Sequence, residues 1–354
     1  MSSSPVLMPW PRSSARALTA QLATPSPAST AARASAASSS GVLGTAGCSA
    51  GVREPLRAAW RSGGTACLIA DVPEAPSNAV LVTGCSSGIG RSTAELLAGK
   101  GWTVYASARK LDSIHDLEGR GCRLLELDVT DEDSMRAAVA KVEEAEGAVG
   151  VLVNNAGYSQ SGAVESVSTE EVRRQFDTNV FGLIRMSQLA LPGMRRQRWG
   201  KVVNIGSMGG KLTFPGGGLY HATKYAVEAI SDALRFEVAS FGVDVILIEP
   251  GLIKTRFGET AAGSVGGEQA DGPYGAFNPA VAKATKEVYD GPLSRLGGGP
   301  EVVAETIERA ISSSRPRARY PVTPSARIMM AQRRLMPDRL WDTVMRTQFP
   351  RPGR

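Results

Sequence analysis

Two histidines, His115 and His221, and four cysteines, Cys48, Cys67, Cys85 and Cys122, are all the imidazole and thiol groups in this 354-residue chain. The cysteines show no paired spacing. Neither a metal centre nor a disulfide frame is expected, and a reducing compartment suits such a chain. Long apolar runs are also missing, since none approaches the ~20 residues needed to cross a bilayer. Blocks of Lys and Arg are absent as well: the formal charge of +6 is modest and comes partly from arginines in the two tails. Nucleic acid is therefore not an expected partner. Aromatics make up only 6%, but 42% of the residues are hydrophobic, ample for the core of an ordinary enzyme. Length alone allows one large α/β domain or two.

The first 76 residues lack lysine altogether and carry no acid before Glu54. Ser, Ala, Pro, Gly and Thr dominate, and no helical or strand period persists. Such a stretch buries too little surface to offset its ordering entropy, so 1–76 is expected to be a disordered extension. Its Arg- and Ser-rich, acid-poor composition also matches an organelle transit peptide. The plainer reading, a tail with no targeting role, is preferred, which makes the cytoplasm the expected location and an organelle the alternative.

From Asn78 the pattern sharpens. Ala79–Val82 is a short apolar run that reads as a buried strand. Thr83-Gly84-Cys85-Ser86-Ser87-Gly88-Ile89-Gly90 follows, then a helical stretch over Arg91–Lys100. Glycines at such a strand–turn–helix junction permit a tight turn and let a diphosphate approach backbone N–H groups. A second strand, Trp102–Ser107, runs into Ala108-Arg109-Lys110. An acid at the end of this strand serves the ribose hydroxyls of NAD, whereas an arginine suits the 2′-phosphate of NADP. Ser107 and Arg109 thus favour NADP, with NAD the alternative.

A third strand, Arg123–Leu127, ends in Asp128-Val129, and Thr130 or Asp131 caps a helix running to Glu146. The fourth strand, Val149–Val153, ends in Asn154-Asn155-Ala156-Gly157. Ser168–Arg198 reads as one long helical region, in which Asn179 would ordinarily face solvent. The fifth strand, Lys201–Ile205, leads to Ser207, and the sixth, Val243–Ile248, to Glu249-Pro250-Gly251. Strands alternating with helices predict a single doubly wound parallel sheet, a Rossmann-type α/β fold with helices on both faces, over 77–325.

Tyr220 and Lys224 stand four apart on a helix running to about Ser240, so phenol and ammonium share a face. A cation beside a phenol favours the phenolate and makes it a usable acid or base. His221 lies one step round the helix, off that face, and reads as a packing or surface residue. Beyond Thr255 the chain is Gly-rich and irregular to Asp271, weakly helical over Pro279–Tyr289, helical over Glu301–Ser313, and adds a last strand at Arg319–Val322. The irregular stretch would suit a lid. The segment 326–354 is basic and amphipathic, broken at Pro337. It is read as helix packed on the domain or on another subunit in preference to membrane contact.

The glycine motif, Asn154-Asn155-Ala156-Gly157, Asn179, Ser207, Tyr220-x-x-x-Lys224 and Pro250-Gly251 fall in one familiar order. The chain resembles the short-chain dehydrogenase/reductase family, in the branch with the Thr-Gly-x-x-x-Gly-x-Gly fingerprint. It is similar to actinobacterial-type oxidoreductases and to the hydroxysteroid and retinol dehydrogenases. The resemblance implies a catalytic set of Asn179, Ser207, Tyr220 and Lys224. Tyr220 would exchange the proton with the carbonyl or alcohol oxygen, Ser207 would orient that oxygen, Lys224 would favour tyrosinate and bond the nicotinamide ribose, and Asn179 would hold a water. It further implies a cofactor surface of Gly84, Ser86, Ser87, Gly88, Ile89, Gly90, Arg109, Asp128, Val129, Asn155, Ala156, Gly157, Pro250, Gly251, Ile253 and Thr255, with Tyr220 and Lys224. An NADP-dependent oxidoreductase acting on an apolar secondary alcohol or ketone, assembled as a homodimer or homotetramer, is expected. The rival is a cofactor-binding regulator without turnover, which typically lacks the tyrosine or lysine present here.

Overall fold

The computed structural model describes residues 76–265 and 272–352. The expected N-terminal extension lies outside the described residues. In chain order, the first half holds β1 (Ala79–Val82), α1 (Gly88–Gly99), β2 (Thr103–Ala108), β3 (Arg123–Glu126), α2 (Glu132–Glu146) and β4 (Val151–Asn154). Then come α3 (Thr169–Phe176), α4 (Gly182–Arg196), β5 (Gly200–Ile205), α5 (Gly218–Val238) and β6 (Val243–Pro250). The last part comprises α6 (Phe257–Gly263), α7 (Phe277–Asp290), α8 (Pro300–Ser312), β7 (Arg319–Val322), α9 (Thr323–Leu335) and α10 (Asp338–Gln348).

All strands pair in parallel in the order β3-β2-β1-β4-β5-β6-β7. The doubly wound sheet expected from the alternation of strands and helices is the one that forms. Both of its faces are covered, which is why β1 is an unbroken apolar run rather than an alternating one. Val80 and Val82 point to a core shared with Ala94 and Leu97 of α1 and Ile307 and Ile311 of α8. Ala79 and Leu81 point to the opposite core, with Met135 and Val139 of α2 and Met186 and Met194 of α4. The strand order turns back on itself between β1 and β4, so a crevice opens at their carboxyl ends.

Three local expectations change. The helical region from Ser168 starts with a capping box, in which Ser168 Oγ accepts from Glu171 N–H and the Glu171 carboxylate accepts from Ser168 N–H. It is then interrupted by a π-turn at Asp177–Phe181. That turn puts Asn179 inside the protein, at 2% exposure, rather than in solvent. The irregular stretch after Thr255 contains α6, which folds because Phe257 lies against Tyr220 and Gly258 fits under the Tyr289 ring. The C-terminal segment breaks at Pro337 as expected, but its first helix begins at Thr323. Met329 and Met330 of α9 pack on Met208, Leu252 and Phe214, and Trp341 Nε1 of α10 donates to Thr213 O at 3.3 Å. Among the described residues no helix is long and apolar enough to cross a membrane.

Candidate active site

The carboxyl ends of β1, β4, β5 and β6 supply four loops at one edge of the sheet, and α5 crosses them. Ser207 follows β5 in extended backbone, where its Oγ accepts from Gly209 N–H at 3.0 Å. Tyr220, in the first turn of α5, sets its ring against those of His221 and Phe257 at 5.6 and 5.4 Å, with the Ser207 hydroxyl near enough to act on its phenol. One turn on, Lys224 is 7% exposed; its Nζ donates to Ile205 O at 2.8 Å and lies 5.8 Å from the centre of the Tyr220 ring. The three groups expected to act together therefore do meet.

Their electrostatics differ from the simple expectation. Burial pushes the Tyr220 phenol up, the Ser207 hydroxyl opposes this, and nearby Tyr289 adds to the rise. The same desolvation lowers the Lys224 ammonium to about 8. Asn179 is not idle either. Its Nδ2 donates to Tyr158 O at 2.9 Å and to Thr223 Oγ1 at 3.1 Å, and its Oδ1 accepts from Tyr158 N–H at 3.1 Å. These bonds pin the start of α5 to the loop after β4, between Tyr220 and Lys224.

The glycine turn has the form that a dinucleotide needs. Gly84 and Gly88 have φ of +74° and +60°, which side chains rarely tolerate. A Cβ on Gly90 would fall 2.4 Å from Asn155 Nδ2 and 2.5 Å from Gly84 O. Ser87 precedes α1 without a side-chain cap, and no acid stands in the helix's first turn, so its N–H groups face the crevice unopposed by negative charge. Thr255 abuts the turn, 3.3 Å from where a Gly88 Cβ would be. Gly157 sits against Asn179, and Gly251 leaves no space for a Cβ beside Thr323 and Ser325. Asp128 Oδ1 accepts from Thr130 N–H and Oγ1–H, and Arg109 is exposed just past β2. Ser86 is exposed, Ile89 and Ala156 border the two cores, and Pro250 is the last residue of β6. The side chains of Val129 and Ile253 belong to those cores, so only their main chains are free to meet a ligand.

Several working residues were not singled out from sequence. Thr83 Oγ1 accepts from the N–H groups of Asn155 and Ala156, and Asn155 Nδ2 donates back to Thr83 O and Gly84 O. This lattice ties β1 to β4 across the crevice. Beneath it, Asn154, Asn204, Ser187 and Ser231 form a buried, mutually satisfied ladder, and Asn154 and Asn204 are register partners. Phe257 and Tyr289 wall the Tyr220 side, and Arg256 Nη2 reaches Ser86 O at 3.4 Å. An Asn pair at matching positions of neighbouring strands is the one signal that sequence carried for the ladder. Cys85, inside the glycine motif, turns into the core, where burial pushes its thiol up to about 12, so it is no nucleophile.

The model of the short chain dehydrogenase family matches residues 78–263. The NADPH-dependent 3-dehydrocapnine reductase of Ornithobacterium rhinotracheale is 38% identical over 274 residues, covering 75% of this chain and 94% of that protein. The chain belongs to the short-chain dehydrogenase family. A 3-ketodihydrosphingosine reductase of Bacteroides thetaiotaomicron is 35% identical over 269 residues, 75% of this chain and 96% of that one. A short-chain dehydrogenase of known structure from Streptomyces avermitilis superposes with a TM-score of 0.63 at 33% identity, over 77% of this chain and 98% of that one.

As a short-chain dehydrogenase the protein is an oxidoreductase, and its crevice fits the family's dinucleotide: a glycine cradle that a Cβ would fill, at an uncapped helix start. When bound, that cofactor supplies or accepts the hydride.

The buried lysine carries a testable linkage. Its folded pKa, about 8, lies below the ordinary 10.5, so between those values the unfolded chain binds more protons than the folded one. Stability contributed at this site therefore rises with pH through that window and is lowest below 8. Chemical denaturation of wild type and Lys224→Met should show the variant's relative advantage shrinking between pH 8 and 10.5. A difference that stays flat would mean the ammonium is solvated.

Proposed function

We propose that the protein is an NADP-dependent reductase of an apolar ketone, with Tyr220 delivering the proton to the carbonyl oxygen and Ser207 orienting that oxygen. The observation that carries this reading is the convergence at the end of β5, where Lys224 Nζ lies 5.8 Å from the Tyr220 ring and donates to Ile205 O, two residues before Ser207. A protonated phenol is the form that donates a proton as the oxygen becomes negative, and the desolvation that pushes this phenol up supports that role. The ring of Phe257, 5.4 Å from that of Tyr220, and Tyr289 behind it give the reacting centre an apolar wall. Both relatives named above are reductases, which supports the same direction.

The choice of NADP rests on Arg109, whose guanidinium suits a 2′-phosphate, and on the NADPH dependence of the 3-dehydrocapnine reductase. Titration of wild type and Arg109→Ala with NADPH and NADH tests it. The substitution should weaken NADPH by about 10- to 100-fold, the worth of one charge-assisted hydrogen bond, and leave NADH unchanged. Equal affinity for both nucleotides in the wild type would refute the assignment. Consumption of NADPH with a panel of apolar ketones then tests the reaction.

Phe181, in the turn before α4, and Tyr225 and Phe236, on α5, expose 58%, 44% and 89% of their surface. They support self-association through these helices. A monomer in sedimentation analysis would argue against it.

A further inference from the structure

One buried polar side chain beside the reacting tyrosine has no part in the reaction so far. His221 is 8% exposed and sits in a slot made by two glycines. A Cβ on Gly209 would fall 2.5 Å from its Nδ1, and one on Gly217 would fall 2.7 Å from its Nε2. The rings of Phe214 and Tyr220 flank it at 5.9 and 5.6 Å. Nδ1 lies 3.0 Å from the carbonyl oxygen of Gly209. A carbonyl only accepts, so Nδ1 carries the proton. Burial lowers the imidazole to about 4, which leaves it neutral, and the tautomer fixed, at any working pH.

The peptide that His221 holds is the one that shapes the Ser207 turn. The Gly209 carbonyl accepts from His221, and the N–H at the other end of the same peptide, that of Gly210, donates to Ser207 O at 2.9 Å. Gly209 N–H donates in turn to Ser207 Oγ at 3.0 Å. With that lone pair engaged, the Ser207 hydroxyl proton is left for the Tyr220 oxygen or the substrate oxygen. Two consecutive glycines would otherwise leave this turn soft.

We propose that His221 is a positioning residue: its Nδ1–H, bonded to Gly209 O, locks the Ser207–Gly210 turn so that the Ser207 hydroxyl is aimed at Tyr220 and the substrate oxygen. This rests on the proposed reduction, so the test has one arm that needs no substrate. His221→Phe keeps a ring in the slot and removes the donor, whereas His221→Asn keeps an N–H near the place of Nδ1. Both are made in the full chain, in the native and in the Ser207→Ala background.

The substrate-free arm is amide exchange at Gly209 followed by NMR. Exchange should quicken in His221→Phe and stay slow in His221→Asn. In the kinetic arm, His221→Phe should lower kcat by about 10- to 100-fold, as a misplaced catalytic group does, without changing nucleotide affinity. His221→Asn should be faster than His221→Phe. In the Ser207→Ala background, His221→Phe should change kcat by less than about twofold, because the group it positions is gone. Equal losses in both backgrounds, or unchanged Gly209 protection in His221→Phe, overturn the proposal. A wild type that reduces no ketone while Gly209 exchange still responds to His221→Phe counts against the reductase reading and leaves the lock itself established.

Discussion

Tyr220→Phe should lower kcat for ketone reduction by about 10²- to 10⁴-fold, the usual worth of a positioned general acid. His221 Nδ1 is bonded to Gly209 O, and the serine hydroxyl is far too weak an acid to supply the proton alone, so neither replaces the phenol. The ring itself is retained, so contacts with Phe257 and His221 survive and the melting temperature should hardly move. Nucleotide affinity should change by less than about tenfold, the most that one neutral hydrogen bond contributes. Single-turnover reduction with saturating NADPH, alongside nucleotide titration, separates these quantities. A variant that turns over within a few-fold of the wild type would remove Tyr220 from the proton-transfer step.

Gly90→Ala should abolish detectable nucleotide binding and destabilise the fold. The added methyl would sit 2.4 Å from Asn155 Nδ2 and 2.5 Å from Gly84 O, and neither can retreat freely. Asn155 Nδ2 is held by its bonds to Thr83 O and Gly84 O, and Gly84 O is backbone in a turn with positive φ. Overpacking of this kind costs about 1–3 kcal/mol, which lowers the melting point by roughly 2–12 °C in a domain of this size. Gly99, at the far end of the same helix, meets nothing within 4 Å. Gly99→Ala should therefore be neutral or stabilise by up to about 1 kcal/mol, the helix preference of alanine over glycine. Calorimetry and NADPH titration of the two variants give the comparison. If Gly90→Ala melts and binds like Gly99→Ala, close packing at the turn is not what the glycine provides.

Much of this protein was legible because its signals are local. Four apolar residues at Ala79–Val82, bounded by Thr83-Gly84, leave little choice but a buried strand. The spacing of Tyr220 and Lys224 is a property of any α-helix and needs no tertiary information. Asn179 illustrates the limit. Its preference for solvent in a helix is real, but three bonds to Tyr158 and Thr223 from distant segments override it and open the π-turn. α6 was hidden for a similar reason, because its glycines weaken the helix until Tyr289 and Tyr220 supply surfaces to pack on.

By itself, then, the sequence determined the alternation of strands and helices, the glycine turn and the order of the reactive residues, since periodicity, turn chemistry and spacing act over a few neighbours. Only the tertiary structure decided the protonation and aim of those residues. Tyr220 is walled by Phe257 of α6 and Tyr289 of α7, Lys224 is drawn under β5 by its bond to Ile205 O, and the Ser207 hydroxyl is engaged by Gly209. His221, read from sequence as a packing or surface residue, is packed and also bonds that same glycine, because hydrogen bonding across a fold is set by groups far apart in the chain.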